Sequence, residues 1–262
     1  KTHAHPHLIL FGFDETAEAV AVRALMGLWS ARFGEPHITV VTPDAASAQA
    51  RFDARYPEAR SHDLWKADIK GGQAVRLTAM PGYETNPRFS PDGKWIAFSG
   101  RQNGSADIYI IPTGGGEIRQ LTYGSFNEVV SSWSWDSRYI YLVSDQMGQP
   151  SGFKISVDGG SPVRVFGEYF FQYDHNLFEH PSTGEIFFND TWESSNQVQR
   201  KHYKGPFNPD IQSYDPRAHK YKRYTDYMGK DFGATLDRKG NIYFISDEGN
   251  GEYNLYTFRD GK

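Results

Sequence analysis

The first residues in this chain that could do chemistry are histidines and acids in short spacings. His3, His5 and His7 take every second position of the opening segment, so on a strand they would share one face, as metal-holding H-x-H pairs do. A complete site would need more histidines and an aspartate, and the other six histidines are scattered from 37 to 219. The reading is a terminus that binds metal adventitiously, with no metal site. Tyr173-Asp174-His175 sets a carboxylate beside an imidazole. Neighbours on a strand point to opposite faces, however, so the two cannot form a proton relay. No serine sits in a G-x-S-x-G context, and the absence of cysteine excludes thiol nucleophiles and thiolate metal sites. No catalytic residue is assigned.

Two further groups suggest binding. Between Asn189 and Asp210 an irregular stretch of about 15 extra residues carries Trp192, Glu193, Arg200, Lys201, His202 and Tyr203, the kind of charged and aromatic loop that binds ligands. Together with a Tyr173-Asp174-His175 segment facing a central channel, Trp192, Glu193, Arg200 and Tyr203 are the binding candidates. The second group is Gly12-Phe-Asp14-Glu-Thr-Ala17, a damaged version of the G-x-G-x-x-G dinucleotide fingerprint. Gly12 stands and Ala17 is a tolerated third position, but Asp14 puts a carboxylate where a pyrophosphate should approach. The ribose-binding acid expected after the second strand is replaced by Thr42, with Asp44 two residues on. Gly12, Ala17 and Asp44 are therefore read as a structural relic, and no cofactor is expected.

The elements that must position these residues change along the chain. Residues 1–60 hold 12 of the 19 alanines, 3 of the 26 glycines and 6 of the 40 aromatics; residues 61–262 hold the rest. Alanine-rich, glycine-poor sequence favours helix, and aromatic, glycine-rich sequence favours strands joined by turns. In the first part, His7–Phe11 and His37–Val41 are apolar runs of strand length. Between them Ala19, Val22, Leu25, Met26 and Trp29 recur at helical spacing, and Thr42-Pro43-Asp44 opens a second helix. The expectation is a short βαβα, Rossmann-like segment over 1–60, a fragment of a larger sheet.

Residues 61–262 repeat. Arg76-Leu77-Thr78 returns as Gln120-Leu121-Thr122 and Arg164-Val165-Phe166 at steps of 44, then as Arg223-Tyr224-Thr225 after 59. Asp63-Leu64-Trp65 returns as Asp107-Ile108-Tyr109, Gly152-Phe153-Lys154, Asp210-Ile211-Gln212 and Asn254-Leu255-Tyr256. A turn followed by an aromatic strand recurs from Pro91, Trp135, Ser182 and Arg238. A period near 44 with about four strands is that of a β-propeller blade. The fold class is mainly β: a partial propeller of about four to five four-stranded blades behind the α/β segment. Trp65, Trp95, Tyr109, Trp133 and Trp135 are expected between blades. With a net charge of −4 and a pI near 6.1, no nucleic-acid partner is expected; with no apolar run near 20 residues, neither is a membrane span.

The repeat Asn86-Pro-Arg-Phe-Ser-Pro-Asp-Gly-Lys-Trp-Ile-Ala-Phe98 resembles the TolB/tricorn type of propeller. His180-Pro-Ser-Thr-Gly-Glu-Ile-Phe-Phe-Asn-Asp-Thr-Trp-Glu-Ser-Ser195 with Lys204-Gly-Pro-Phe-Asn-Pro-Asp210 resembles the propeller of bacterial tricorn-like serine peptidases. Residues 7–56 resemble the start of the TrkA-N, or RCK, nucleotide-binding domains. The tricorn resemblance implies a non-catalytic propeller that binds peptide or protein, with a separate peptidase core and PDZ module, in cytoplasm or bacterial periplasm. It implies a ring of six or more blades, so the expectation is a truncated or chimeric chain, or a ring completed by another chain. Two alternatives stay open: a TolB-like protein-binding scaffold, and a nucleotide-sensing protein acting through residues 7–44.

Overall fold

Four tight turns of different wording set the blades. At Ser90-Pro-Asp-Gly93 the Ser90 hydroxyl donates to the Asp92 carboxylate at 2.6 Å and accepts the Trp95 N–H at 3.0 Å. Asp92 also accepts the Lys94 N–H, and Gly93 closes the turn at φ 73°. Ser134 and Asp136 repeat these bonds, with Ser137 in the glycine place at φ 60°. In the third turn the His180 ring accepts the Ser182 and Thr183 N–H groups, and in the fourth Asp237 accepts those of Lys239 and Asn241. Each short acceptor thus does the work of a turn carboxylate.

A computed structural model of the chain describes residues 7–11, 37–41, 65–66, 75–102, 104–166, 173–196 and 203–258. They fall into two compact units, Lys1–Ala79 and Met80–Lys262. In the first, β1 (His7–Phe11) pairs in parallel with β2 (His37–Val41), and β3 (Trp65–Lys66) pairs antiparallel with β4 (Val75–Arg76). The two strands of the α/β segment have the bounds their apolar runs predict. The helices expected of it, and His3, His5, Gly12, Asp14, Ala17 and Asp44, lie outside the described residues.

The second unit is a propeller-like row of four antiparallel sheets. Blade one is β5 (Tyr83–Phe89), β6 (Trp95–Arg101), β7 (Asp107–Pro112) and β8 (Arg119–Gln120). Blade two is β9 (Glu128–Trp133), β10 (Tyr139–Ser144), β11 (Ser151–Ser156) and β12 (Val163–Arg164). Blade three is β13 (His175–Glu179), β14 (Ile186–Asn189), β15 (Gln212–Asp215) and β16 (Lys220–Arg223). Blade four has three strands among the described residues, β17 (Asp231–Leu236), β18 (Ile242–Ser246) and β19 (Asn254–Thr257), where four-stranded blades were expected throughout. A short helix, α1 (Glu193–Asn196), lies in the stretch after β14.

The core is three apolar seams, one per junction. Ala97, Ile108 and Ile110 meet Val130, Trp133, Ile140 and Leu142; Tyr141 and Phe166 meet Leu177, Phe188 and Tyr214; Phe187 and Ile211 meet Ala234, Leu236 and Phe244. The tryptophans add directed bonds across them: Trp133 Nε1 donates to the Arg88 carbonyl at 2.8 Å and Trp135 Nε1 to the Glu179 carbonyl at 2.7 Å.

The repeated Asp…Thr pair has a job in two blades. In blade one the Thr122 hydroxyl accepts the Ile108 N–H and faces Asp107; in blade three Thr225 does the same for Ile211 and Asp210. In blade two both partners are gone. Phe166 fills the space, and a Cβ on Gly152 would lie 2.6 Å from its ring.

The left-handed turns give a direct test. Nothing lies within 4 Å of a Cβ built on Gly93, so only its φ of 73° opposes a side chain. Gly93→Ala is expected to cost about 1 kcal/mol in urea unfolding, with the blade structure unchanged by circular dichroism.

Candidate functional site

The first strand of each blade is the innermost, and all four share one irregularity. Against their partners β5, β9, β13 and β17 each carry one extra residue, between Thr85 and Arg88, at Ser131, between His175 and Phe178, and between Phe232 and Thr235. A bulge of this kind bends a strand and re-aims its side chains. Asn86 and Asn176 sit in two of the bulges at φ 54°, and Gly233 in a third at φ 68°. Side chains of the preceding blade hold the bulged strands: Ser99 Oγ accepts the Val130 N–H at 2.9 Å, and Asn189 Oδ1 accepts the Gly233 N–H at 3.0 Å.

A cleft of about 340 Å³ opens among these strands. Asn86 and Arg88 line one side, Val129, Val130 and Ser131 another, and His175 and Asn176 a third; Asn127, Val143, Asp145, Pro150, Tyr173 and Ser194 complete it. The Arg88 guanidinium is held by the Ser131 and Pro87 carbonyls at 3.0 Å, and burial lowers its pKa. Asp145 is engaged by the Asn127 N–H and side-chain amide.

Two residues before each of Asn86, Val130, Asn176 and Gly233 stands a buried acid: Glu84, Glu128, Asp174 and Asp231. Burial raises the pKa of Glu128, and the nearby Asp107 charge adds to it while the Thr122 and Ser144 hydroxyls oppose it. Asp231 is raised by burial in the same way, opposed by Ser246 and Thr225. Asp210, beside it, is pushed up to about 6 by burial despite its ion pair with Arg223. Thr122 and Thr225 therefore each serve two acids. At the middle junction, where Ser151 and Phe166 stand in the places of that pair, no threonine serves Asp174. It is fully buried, neither carboxylate oxygen has a hydrogen bond of normal geometry, and burial pushes its pKa up to about 7; the Gly152 N–H and Arg164 charge offset this in part.

The candidates taken from the sequence separate into three places. Tyr173 and His175 line the cleft, their rings 6.0 Å apart, while Asp174 is buried outside it. His175 Nδ1 lies 3.1 Å from the Tyr173 carbonyl, and Nε2 lies 2.7 Å from Ser194 Oγ. A proton on Nδ1, given to the carbonyl, leaves Nε2 to accept the Ser194 hydroxyl. Burial depresses His175 to about 4, so the ring is neutral at pH 7 and a poor proton acceptor. The Ser194–His175 bond ties α1 to β13 instead of arming a nucleophile. Glu193 is fully buried in an ion pair with the equally buried Lys230 at 3.1 Å, so its carboxylate is turned inward rather than towards solvent. Trp192 is half-buried against Phe207, the rings 6.0 Å apart, and Tyr203 packs over Gly205. Arg200, Lys201 and His202 lie outside the described residues.

Asn86, Arg88, Val129, Asn176 and Ser194 belong to the cleft and were not singled out from sequence. The positions of Asn86 and Asn176 in phase with the repeat were the available signal. Among the described residues, no group of three or more His, Cys, Asp or Glu side chains could hold a metal ion, and no helix is long and apolar enough to cross a membrane.

Two measurements follow. The folded pKa of Asp174 stands above its unfolded value, so its contribution is most favourable below about pH 4, falls as pH rises to about 7, and levels off above. Asp174→Asn should leave stability unchanged at pH 4 and raise it at pH 8 by roughly 2 kcal/mol in urea titrations; parallel curves for the two proteins would contradict this. Glu193→Ala strands a buried lysine and should destabilise by about 3 kcal/mol. Adding Lys230→Met to that variant should recover most of the loss.

Comparison with known proteins bears on the whole second unit. Tricorn protease homolog 1 of Streptomyces coelicolor is 34% identical over 107 residues, which is 39% of this chain and 10% of that protein. The crystal structure of the tricorn protease superposes with a TM-score of 0.62 at 22% identity, over 77% of this chain and 20% of that one. TolB from Acinetobacter baumannii gives 0.60 at 15% identity, over 98% of this chain and 80% of that one. At these identities the two structures share the fold alone. The chain spans between 9% and 56% of the length of four curated relatives that it matches. A family model described as the tricorn protease N-terminal beta propeller domain matches residues 59–262, taking in all four blades. The chain belongs to the tricorn N-terminal β-propeller family.

Proposed function

We propose that the four-bladed unit is the non-catalytic, peptide-binding portion of a tricorn-like serine peptidase, working with a peptidase core supplied by the rest of that polypeptide or by another chain. The observation that carries this reading is the cleft among the inner strands. Its volume of about 340 Å³ falls in the range of roughly 300–1,000 Å³ typical of small-ligand sites. Val129, Val143 and Pro150 offer apolar contact, while Asn86, Asn176 and the remaining N–H groups of Arg88 offer hydrogen bonds, a mixture suited to a peptide. Tyr173 and His175 belong to the same wall, and Trp192, Glu193 and Tyr203 hold the adjoining stretch in place. Residues 1–60 are taken as a separate α/β segment and 61–262 as the propeller. Gly12, Ala17 and Asp44 have no part in this reading, which needs no cofactor.

A TolB-like scaffold that binds a folded protein is the second reading, favoured by the likeness to TolB over 98% of this chain. Hydrogen exchange separates the two. A tryptic digest of casein should slow amide exchange in 127–131 and 173–176 if peptides enter the cleft. No protection at millimolar peptide would overturn the first reading.

A further inference from the structure

The backbone of the inner strands is already occupied where it borders the cleft. The Ser131 carbonyl accepts Arg88 Nε, the Arg88 carbonyl accepts Trp133 Nε1, and the Val130 N–H is taken by Ser99. An extended peptide cannot join such an edge as one more strand, because the groups it would pair with are spent. Recognition falls to side chains. Two of them stand at equivalent points of blades one and three, and both are asparagines held at φ 54° by a bulge. A left-handed backbone at a residue other than glycine costs about 1–2 kcal/mol, so glycine, as at Gly233, would form the bulge at lower cost.

Both asparagines are exposed to the cleft, and their amides are largely unspent. The Asn86 side chain makes no hydrogen bond to a described residue, and Asn176 reaches Asn189 at 3.5 Å. A primary amide carries both a donor and an acceptor, the complement of one peptide unit. Val129, 37% exposed, lines the side of the same cleft that belongs to blade two and supplies apolar contact for a peptide side chain.

We propose that Asn86 and Asn176 are a pair of main-chain readers that hydrogen-bond the amides of an extended peptide lying in the cleft. The inference rests on the peptide-binding reading and adds to it the ligand class and the residues that select it. Selection is for backbone amides, so it tolerates varied side chains and fails where the amide N–H is missing.

The test uses the whole chain and a fluorescein-labelled heptapeptide, uncharged and capped at both ends, with leucine and alanine at its centre. A second peptide has the three central amides N-methylated. Fluorescence anisotropy of the unmodified chain should show methylation weakening binding about tenfold. Asn86→Gly with Asn176→Gly keeps the left-handed bulges, so the thermal midpoint should not fall. That double variant should bind the plain peptide about tenfold more weakly and no longer distinguish the methylated one. Equal binding by the unmodified chain and the variant, or a methylation effect that persists in the variant, overturns the assignment while leaving peptide binding intact. Failure of the unmodified chain to bind either heptapeptide or the casein digest overturns the peptide-binding reading itself.

Discussion

An innermost strand has a neighbour on one side only, and its other edge must still find partners for its N–H and C=O groups. In this chain the partners come from the adjacent blade. Ser99 and Asn189 accept N–H groups of the following blade's first strand, and Trp133 and Trp135 donate to carbonyls of the blades before and after blade two. The same bonds fix how far one blade is turned against the next. The apolar seams then close around that geometry, because Val130, Leu177 and Ala234 lie on the strands being held. The cleft is what remains between strands whose edges are satisfied without a further strand.

Much of this is legible in the sequence for a simple reason: the repeats carry it at fixed positions. Asp92-Gly93 announces a hairpin, the step of 44 residues sets the blade, and the tryptophans in register announce the seams. The acids that border the inner strands do not read as a set because they change identity, Glu84 and Glu128 becoming Asp174 and Asp231; Asp174 stands out only for its histidine neighbour. The spacing between them also drifts with the loops. Glu193 reads as a solvated loop charge, and only the fold brings Lys230 to it across 37 positions. The Ser194–His175 bond hides for the same reason, since nothing local to either residue points to the other. Asn86 looks like a turn residue ahead of a proline; its place in the cleft depends on a bulge that no hydropathy pattern encodes.

The buried acids give the junctions an electrostatic character that apolar seams alone would lack. At two junctions a threonine hydroxyl stands between paired carboxylates and favours their charged forms against the cost of burial. Burial still prevails, and each raised carboxyl prefers its proton more than it would in water. At the middle junction no threonine is present and the whole cost falls on one residue. The propeller is thus held least comfortably, at neutral pH, beside the wall of its own cleft.

The exchange of Asp and Thr for Ser151 and Phe166, with Gly152 making room for the ring, also bears on how such a chain can diversify. Propellers grow by copying blades, and a copied blade keeps its own turns and strands. Phe166 and Gly152 lie in blade two, but the ring packs on Leu177 and the lone acid is Asp174, both in the next. A crossover between these blades would separate residues that fit only each other. The heritable module here is the junction, with half of its residues in each of two neighbours, and recombination that respects blade boundaries would break it.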